Sequence, residues 1–311
     1  MILPQWLQDR VNKLYQDLDK KTLVETRENL TNRYKTQTGQ NKSLIESKTD
    51  SMLYAISRMP ATFSVVYTLV NDLASQGLIC DVGSVLDVGC GTGAGYFALK
   101  ELDESLKIDL VERDRNMVEI FKKLTDGEVD VCVADASTFV SKEPADLVTT
   151  SYVLSEMTED VRNRTFDNLA KSSNKYVLVI DTGTPKTYAD MMKLKNHASK
   201  SGWQVVAPCM TAKCPLVDDY CQFYARVERS SLHKLAKGGS LSYEDEKYFY
   251  LLFAKEESVK TGSRVIRRPV IKENNVSLVL CEPDGVCTKN FTKKNKDDFK
   301  KAKKAKINEI L

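Results

Sequence analysis

Residues 84–94 read SVLDVGCGTGA, a short β-type run that ends in three closely spaced glycines. Gly89, Gly91 and Gly93 allow the backbone a tight turn and a close approach to a ligand. The helix-like stretch AGYFALKEL, residues 94–102, follows at once. A strand, a glycine turn and a helix in this order begin an α/β sheet that binds its ligand at the carboxyl ends of the strands. These residues therefore predict a doubly wound, Rossmann-like sheet with a bound cofactor at the turn.

Three acidic residues stand at the ends of successive predicted strands. Asp87 precedes the first glycine by two positions, Glu112 ends the run KIDLVE about 20 residues after the turn, and Asp135 follows VDVCVA. The glycines alone also fit the dinucleotide fingerprint G-x-G-x-x-G/A, and a chance glycine turn is the simplest alternative. The form D-x-G-x-G-x-G with two further strand-end acids looks like the class I S-adenosylmethionine-dependent methyltransferases.

That resemblance implies a role for each acid. Asp87 would hold the methionine end of the cofactor, Glu112 both ribose hydroxyls, and Asp135 the adenine amine. The chemistry is consistent, because carboxylates accept hydrogen bonds from hydroxyls and amines and a sulfonium cation favours nearby negative charge. A nicotinamide-dependent oxidoreductase is the distant alternative, which Asp87 disfavours. The predicted cofactor-binding residues are Asp87, Gly89, Gly91, Gly93, Glu112, Asp135, Ala136 and Ser151.

The segment after the fourth predicted strand, residues 150–157, reads TSYVLSEM. It lacks the Asn/Asp-Pro-Pro-Tyr pattern of many amine methyltransferases and the Pro-Cys nucleophile of cytosine C5 enzymes. Because S-adenosylmethionine is already activated, the protein needs mainly to align donor and acceptor. Ser151, Tyr152 and Glu156 are candidates for the acceptor pocket, and a simple helix start is the equal alternative. The sequence identifies no general base.

The order of predicted elements divides the chain into four regions. Residues 1–80 carry apolar residues at helical spacing and predict an N-terminal helical region. Residues 81–203 alternate short β-rich runs with amphipathic stretches, which predicts a parallel sheet covered on both faces. Residues 204–288 predict a cysteine-rich module with closing strands, and residues 289–311 predict a basic tail that is a solvated helix or disordered.

The composition limits the classes of function. The 46 Lys and Arg residues against 43 Asp and Glu leave a net charge of +3, so attraction to nucleic acid depends on local clustering. No stretch approaches the roughly 20 apolar residues that cross a bilayer. The opening MILPQWLQDRVNKLYQDLDKK resembles neither a signal peptide nor a typical transit peptide. We therefore expect a cytoplasmic protein without a membrane partner.

Cysteines form the second functional signal. Cys209, Cys214 and Cys221 lie in one proline-containing segment, and Cys281 ends an apolar strand pattern with Cys287 close behind. In a reducing compartment clustered thiols are more often metal ligands than disulfides. Four thiolates can hold either zinc or a [4Fe–4S] cluster, with scattered free thiols as the alternative. The remaining three, Cys80, Cys90 and Cys132, are predicted to be buried small apolar residues.

Motifs along nearly the whole chain resemble one family. RMPATFSVV, DVGCGTG, SYVLSEM, DTGTP, CPLVDDYCQF, LHKLAKGG and YEDEKYFYLLFAK occur in this order. The chain resembles the Rsm22 family, the mitochondrial small-ribosomal-subunit methyltransferase-like proteins and their bacterial relatives. The resemblance implies an rRNA methyltransferase or an assembly factor of the small ribosomal subunit, monomeric away from the ribosome. It also implies a [4Fe–4S] cluster, with zinc as the alternative, on Cys209, Cys214, Cys221 and Cys281.

Basic residues recur near the end of the chain. Nine lysines lie between Lys289 and Lys306, and they suggest an anchor for rRNA phosphates. A second set recurs at strand and helix positions and suggests further contacts to rRNA phosphates, with a solvated face as the simplest alternative: Arg226, Arg229, His233, Lys234, Lys237, Arg264, Arg267 and Arg268. The two histidines, His197 and His233, have no neighbours in sequence that suggest catalysis.

Overall fold

A computed structural model describes residues 2–16, 18–37, 39–40, 43–256 and 261–311 of the chain. The N-terminal region contains four helices, α1 (Gln5–Tyr15), α2 (Lys20–Gln37), α3 (Lys48–Ser57) and α4 (Met59–Ser75). A capping box, in which the side chains of Ser47 and Asp50 each accept a backbone N–H, fixes the start of α3. Within the described residues, no helix combines the length and apolar character needed to span a membrane.

The central sheet has eight strands. Their order is β3-β2-β1-β4-β5-β8-β6, and β7 also pairs with β8. The chain therefore reverses direction across the sheet between β1 and β4, which is the switch point where such sheets bind ligands. The strands are β1 (Ser84–Val88), β2 (Lys107–Glu112), β3 (Cys132–Val133), β4 (Ala145–Ser151), β5 (Ser173–Thr182), β6 (Gln204–Ala207), β7 (Phe223–Glu228) and β8 (Tyr243–Ala254).

Helices connect the strands and cover the sheet. Right-handed crossovers on the two sides of the switch point place α5 and α6 on one face and α7 and α8 on the other. In the structure α4 packs on α5, and α7 packs on α8. A single 3-10 turn, Leu154–Glu156, follows β4. The helices are α5 (Ala94–Leu102), α6 (Arg115–Leu124), α7 (Glu159–Lys171), α8 (Pro185–Lys200) and α9 (Ser231–Lys237).

The predicted parallel sheet is confirmed for β1 to β5, whose pairs are all parallel, but the sheet continues past residue 203. β8 runs antiparallel to β5, β6 and β7, so the sheet is mixed. Residues 248–254 of β8 are all buried because the strand lies between β5 and β6 inside the sheet. The predicted boundary at 203/204 therefore cuts through the central sheet, since β6 and β8 lie beyond it.

A second, smaller sheet follows in the chain. It contains β9 (Arg264–Val265), β10 (Val270–Ile271), β11 (Asn275–Glu282) and β12 (Gly285–Thr292), and helix α10 (Lys296–Lys304) packs on β11 and β12. Ala302 and Ala305 enter the core of this unit. The predicted boundary at 288/289 falls inside β12, and residues 289–311 are folded rather than disordered. Their apolar residues are few but correctly spaced to pack on the hairpin.

Candidate cofactor site

The turn after β1 needs its glycines. Gly89 and Gly93 have φ angles of 78° and 87°, in the left-handed region. A Cβ at Gly89 would lie 2.4 Å from a methyl group of Val153, and one at Gly93 would lie 2.2 Å from the ring of Phe121. Both distances are far inside van der Waals contact. The glycines therefore allow helix α6 and the segment that follows β4 to approach the turn closely.

A cavity opens where β1, β2 and β4 end, at the switch point of the sheet. Six of the eight predicted cofactor residues line it: Gly89, Gly91, Glu112, Asp135, Ala136 and Ser151. In the part of the chain that the structure describes, Asp87 and Gly93 lie behind this wall. Gly93 instead forms the N-cap of α5. Most of the predicted residues thus lie on one cavity, and they form a minority of its lining.

Glu112 is held in place on the cavity wall by backbone donors. Its Oε2 accepts the N–H of Gly91 at 2.8 Å, and its Oε1 accepts the N–H of Asp114 at 2.8 Å. The side chain is 9% exposed, and burial raises the pKa of the carboxyl group despite these bonds. Each oxygen keeps a second lone pair, so the group can accept further hydrogen bonds from a ligand.

Asp135 stands at a wetter edge of the same cavity. Its side chain is 45% exposed, its Oδ1 accepts the N–H of Ser137 at 2.8 Å, and Arg113 lies 3.7 Å from Oδ2. Burial raises the pKa of Asp135, but the Ser137 hydrogen bonds and the Arg113 charge outweigh it and hold the pKa below its ordinary value. Asp135 is therefore an ionised acceptor at this rim.

Asp87 lies beneath the glycine turn rather than on the cavity wall. It is 2% exposed and accepts the hydroxyl of Thr149 at 2.8 Å. A Cβ on Gly95 would lie 2.7 Å from its Oδ2, so α5 sits directly against the carboxyl group. Burial raises the pKa of Asp87 to about 6. Its position suits shaping the turn and adding negative potential from below.

The N-terminal helices supply part of the cavity that sequence reasoning missed. Tyr34 from α2, Tyr54 from α3, and Leu44 and Ile45 between these helices line it, as does Arg113 after β2. Arg113 could have been found, because it directly follows a strand-end acid. The other residues carry no local signal, since ordinary amphipathic helices contain the same residue types.

The candidates at and after the end of β4 lie where two cavities adjoin. Ser151, Tyr152 and Glu156 all line the cofactor cavity, and Tyr152 and Glu156 also line a second cavity beside it. Tyr152 has a φ of 61°, and the guanidinium of Arg58 lies 5.7 Å from its ring centre. Burial raises the pKa of Glu156 to about 8. The structure thus offers two cavities for the predicted acceptor pocket, because Tyr152 and Glu156 line both.

Four of the cysteines gather at the edge of the main sheet. Burial raises the pKa of the Cys221 thiol to about 12, and the neighbouring Cys209, Cys214 and Cys281 thiols add to the shift. The Tyr188 hydroxyl lies 2.9 Å from the Cys214 sulfur. Among the described residues, no three or more His, Cys, Asp or Glu side chains are spaced to hold a single metal ion.

The structure distinguishes Cys281 from Cys287. Cys281 packs with Met210 and Ile266, and Cys221 contacts the same cluster. Cys287 pairs with Leu280 across the hairpin, so it lies on the opposite face of the small sheet. Cys287 therefore points away from the other thiols.

The prediction of three buried apolar cysteines is correct only in part. Cys90 is buried, but Cys80 and Cys132 are exposed. Cys80 lies in the turn after α4, and Cys132 lies on the two-residue edge strand β3. The apolar run around Cys132 predicted burial, but an edge strand has a neighbouring strand on one side only, so its side chains are less covered.

Several arginines predicted to face RNA instead form hydrogen bonds with other residues of the chain. Arg264 is 1% exposed and donates to the Asn308 carbonyl at 2.8 Å and to Gln76 Oε1 at 2.9 Å, so the interpretation of Arg264 as an RNA contact is wrong. Arg267 donates to both carboxylate oxygens of Asp219 at 2.7 Å. The sequence pattern could not show this, because the partners lie more than 40 residues away in the chain.

The other basic positions also have acidic or buried surroundings. Arg226 and Arg268 both donate to Asp245. His233 is 2% exposed, and burial lowers its pKa to about 4. His197 lies 2.8 Å from Asp167 on the surface. Neither histidine lines the cofactor cavity within the described residues.

The strand order, the glycine turn and the strand-end carboxylates define a Rossmann-like α/β protein with a candidate cofactor cavity at its switch point. Residues 48–310 match the family described as mitochondrial small ribosomal subunit Rsm22, and the chain belongs to that family. Among curated proteins, no relative matches the chain.

Several solved structures are similar to this chain at low identity. A candidate RNA methyltransferase from Pyrococcus horikoshii is 18% identical, with 74% of this chain and 96% of that chain covered and a TM-score of 0.41. Magnesium protoporphyrin IX methyltransferase from Synechocystis, with bound S-adenosylmethionine, is 13% identical, with coverages of 77% and 98% and a TM-score of 0.43. The N-methyltransferase NodS from Bradyrhizobium japonicum is 12% identical, with coverages of 61% and 86% and a TM-score of 0.41.

Proposed function

We propose that the chain binds S-adenosylmethionine in the cavity at the switch point and methylates RNA of the small ribosomal subunit. One observation carries the proposal: a buried carboxylate, Glu112, is fixed beside the glycine turn, and an ionised one, Asp135, stands at the rim of the same cavity. The spacing of turn and acids suits a nucleoside with a ribose between two polar ends. Family membership supports the partner.

The residues would share the work of holding the cofactor. Glu112 would accept the ribose hydroxyls, Asp135 the adenine amine beside Ala136, and the turn at Gly89 and Gly91 would accommodate the methionine portion. S-adenosylmethionine supplies a methyl group already activated by the sulfonium. The chain's own residues then orient the two reactants and keep water away from them.

The cysteine group would hold an iron–sulfur cluster in this proposal. Cys209, Cys214, Cys221 and Cys281 supply four sulfur donors, and the other three lie near enough to Cys221 to raise its pKa. A cubane binds its four ligands to four separate iron atoms, so the thiols stand farther apart than they do around one zinc ion. The donor set thus fits a cluster that ties the segment 209–221 to β11. Its place at the joint of the two sheets suits a structural role.

The RNA would also contact the C-terminal helix. Lys296, Lys300 and Lys303 are exposed on α10 and follow one another at the spacing of a single helix face. Such a row can neutralise successive phosphates without reading sequence. The proposal therefore assigns affinity to this helix and specificity to the cavities.

A comparison of methylation tests the activity. Small-subunit rRNA from cells with and without the protein is mapped for methylated nucleotides, and a strain carrying Glu112→Ala is the matched control. The proposal expects at least one methylated position that is lost in both mutant strains. Unchanged methylation with defective subunits in both strains would instead favour the alternative, an inactive assembly factor that uses the cofactor as a structural ligand.

A further inference from the structure

A second cavity of about 780 Å³ adjoins the cofactor cavity. Its size lies within the usual range of sites for small molecules. Four residues, Tyr34, Tyr54, Tyr152 and Glu156, line both cavities, so the two cavities adjoin at these side chains. A ligand in the second cavity would therefore lie next to the cofactor at three tyrosines and one carboxyl group.

The second cavity is mainly cationic. Its lining contains six Arg and Lys residues and two Glu residues. Deeper charges are already paired, because Arg58 donates to Glu246 and both Arg229 and Lys237 donate to Glu244. Lys35 and Lys186 lie at the exposed rim, and Lys186 stands 3.8 Å from Asp190. The rim thus suits an anion that arrives from solvent.

The inner wall offers polar groups without complete partners. The Tyr152 hydroxyl is buried and has no hydrogen-bond partner among the described residues. Because burial raises the pKa of Glu156 to about 8, its carboxyl group is mostly protonated at neutral pH and can both donate and accept. A donor beside an acceptor matches the Watson–Crick edge of cytosine or adenine, which places a ring nitrogen next to an amino group.

We propose that the second cavity is the acceptor pocket and receives one nucleotide turned out of single-stranded RNA. Its base would lie against Tyr54 and Tyr152 with its edge at Glu156, and its phosphate would lie at Lys35 and Lys186. Aromatic walls stack unpaired bases, and enzymes that act on a base commonly extract it from its stack. This inference deepens the proposed function and rests on it for the identity of the cofactor in the adjoining cavity.

Ligand-observed NMR titration of the full chain with cytidine and adenosine monophosphates tests the pocket. The wild type should bind both nucleotides, and Lys35→Glu combined with Lys186→Glu should weaken binding by about tenfold or more through lost phosphate contacts. Lys142→Glu combined with Lys200→Glu changes two other exposed lysines and should leave binding unchanged. Both pairs alter surface side chains, so circular dichroism should show equal folding.

A second pair of variants tests the base edge. Glu156→Gln keeps one donor and one acceptor and should preserve nucleotide binding, whereas Glu156→Leu should weaken it several-fold. Absence of nucleotide binding to the wild type, or equal binding by both lysine pairs, would overturn the acceptor pocket. Calorimetry with S-adenosylmethionine on the same samples separates the two ideas: cofactor binding without nucleotide binding defeats only this inference, and the reverse defeats only the proposed cofactor.

Discussion

Thr149 donates its hydroxyl to Asp87 at 2.8 Å and thereby ties the end of β4 to the end of β1 beneath the glycine turn. The Asp87 carboxyl group is buried away from solvent, and this burial raises its pKa to about 6 despite the hydrogen bond from Thr149. The folded chain therefore binds this proton more tightly than the unfolded chain, in which the pKa returns to 3.8. The charge on Asp87 costs stability at neutral pH, so its presence suggests a use in binding.

Replacing Asp87 with Asn should stabilise the protein at neutral pH. Protonation of Asp87 contributes its full stabilisation of the folded state below about pH 4, and this contribution is lost as the pH rises through about 6. The difference in unfolding free energy between Asp87→Asn and wild type should thus grow over this interval, to at most about 3 kcal/mol. Urea unfolding across pH measures it, with exposed Asp109→Asn as control. A variant less stable than wild type at pH 7 would contradict the interpretation.

The cysteine group predicts a ranking of two serine variants. Cys281→Ser should lose iron and lower the melting temperature by about 5 °C or more, because binding energy at such a site is also folding energy. Cys287→Ser, on the opposite face of the hairpin, should keep both the iron content and the melting temperature of the wild type. Anaerobic purification with iron and sulfide analysis measures the first effect, and calorimetry the second. The reverse ranking, or a colourless zinc protein, would refute the cluster as assigned.

Arg264 should matter for stability and not for RNA. It is buried and donates to Asn308 and Gln76, so Arg264→Met should remove these buried charge-assisted hydrogen bonds and cost about 3 kcal/mol. At a temperature where the variant remains folded, its RNA affinity should match that of wild type. Thermal unfolding and filter binding check the two halves. An altered salt dependence of RNA binding would show that Arg264 is accessible after all.

The lysine row of α10 should govern the salt dependence of RNA binding. Lys296→Gln, Lys300→Gln and Lys303→Gln together should flatten the plot of log affinity against log salt, since fewer condensed ions are released. Deleting the tail is a poorer test, because Asn308 and Ile310 contact Arg264 and belong to the fold. Lys142→Gln, Lys171→Gln and Lys200→Gln provide a control of equal charge. Equal slopes for the two triple variants would leave α10 a solubilising element.

The cofactor side of the fold could be predicted because its signals are local. The turn at Gly89 and the acids Glu112 and Asp135 each follow a short β-type run, and parallel strands bring such ends together at one edge. The sequence did not assign β8 to this sheet, since a buried run such as YFYLLFA has no feature that shows which sheet it joins or in which direction it runs.

The contribution of the N-terminal helices to the two cavities could not be predicted because its contacts are distant in sequence. Tyr34 and Tyr54 reach the cavities only through the packing of α2 and α3 on the sheet domain. Likewise, a run of basic residues does not reveal that Arg264 meets Asn308, 44 positions away. Charge partners of this kind follow from tertiary structure alone.

Calorimetric titration of the purified chain with S-adenosylmethionine tests the central claim most directly. The account predicts saturable binding by wild type and binding weaker by about 1.5–3 kcal/mol for Glu112→Ala, which loses charge-assisted hydrogen bonds to the ribose. Exposed Glu104→Ala is the control and should bind as wild type does. Tight binding of NAD with no binding of S-adenosylmethionine would contradict the account.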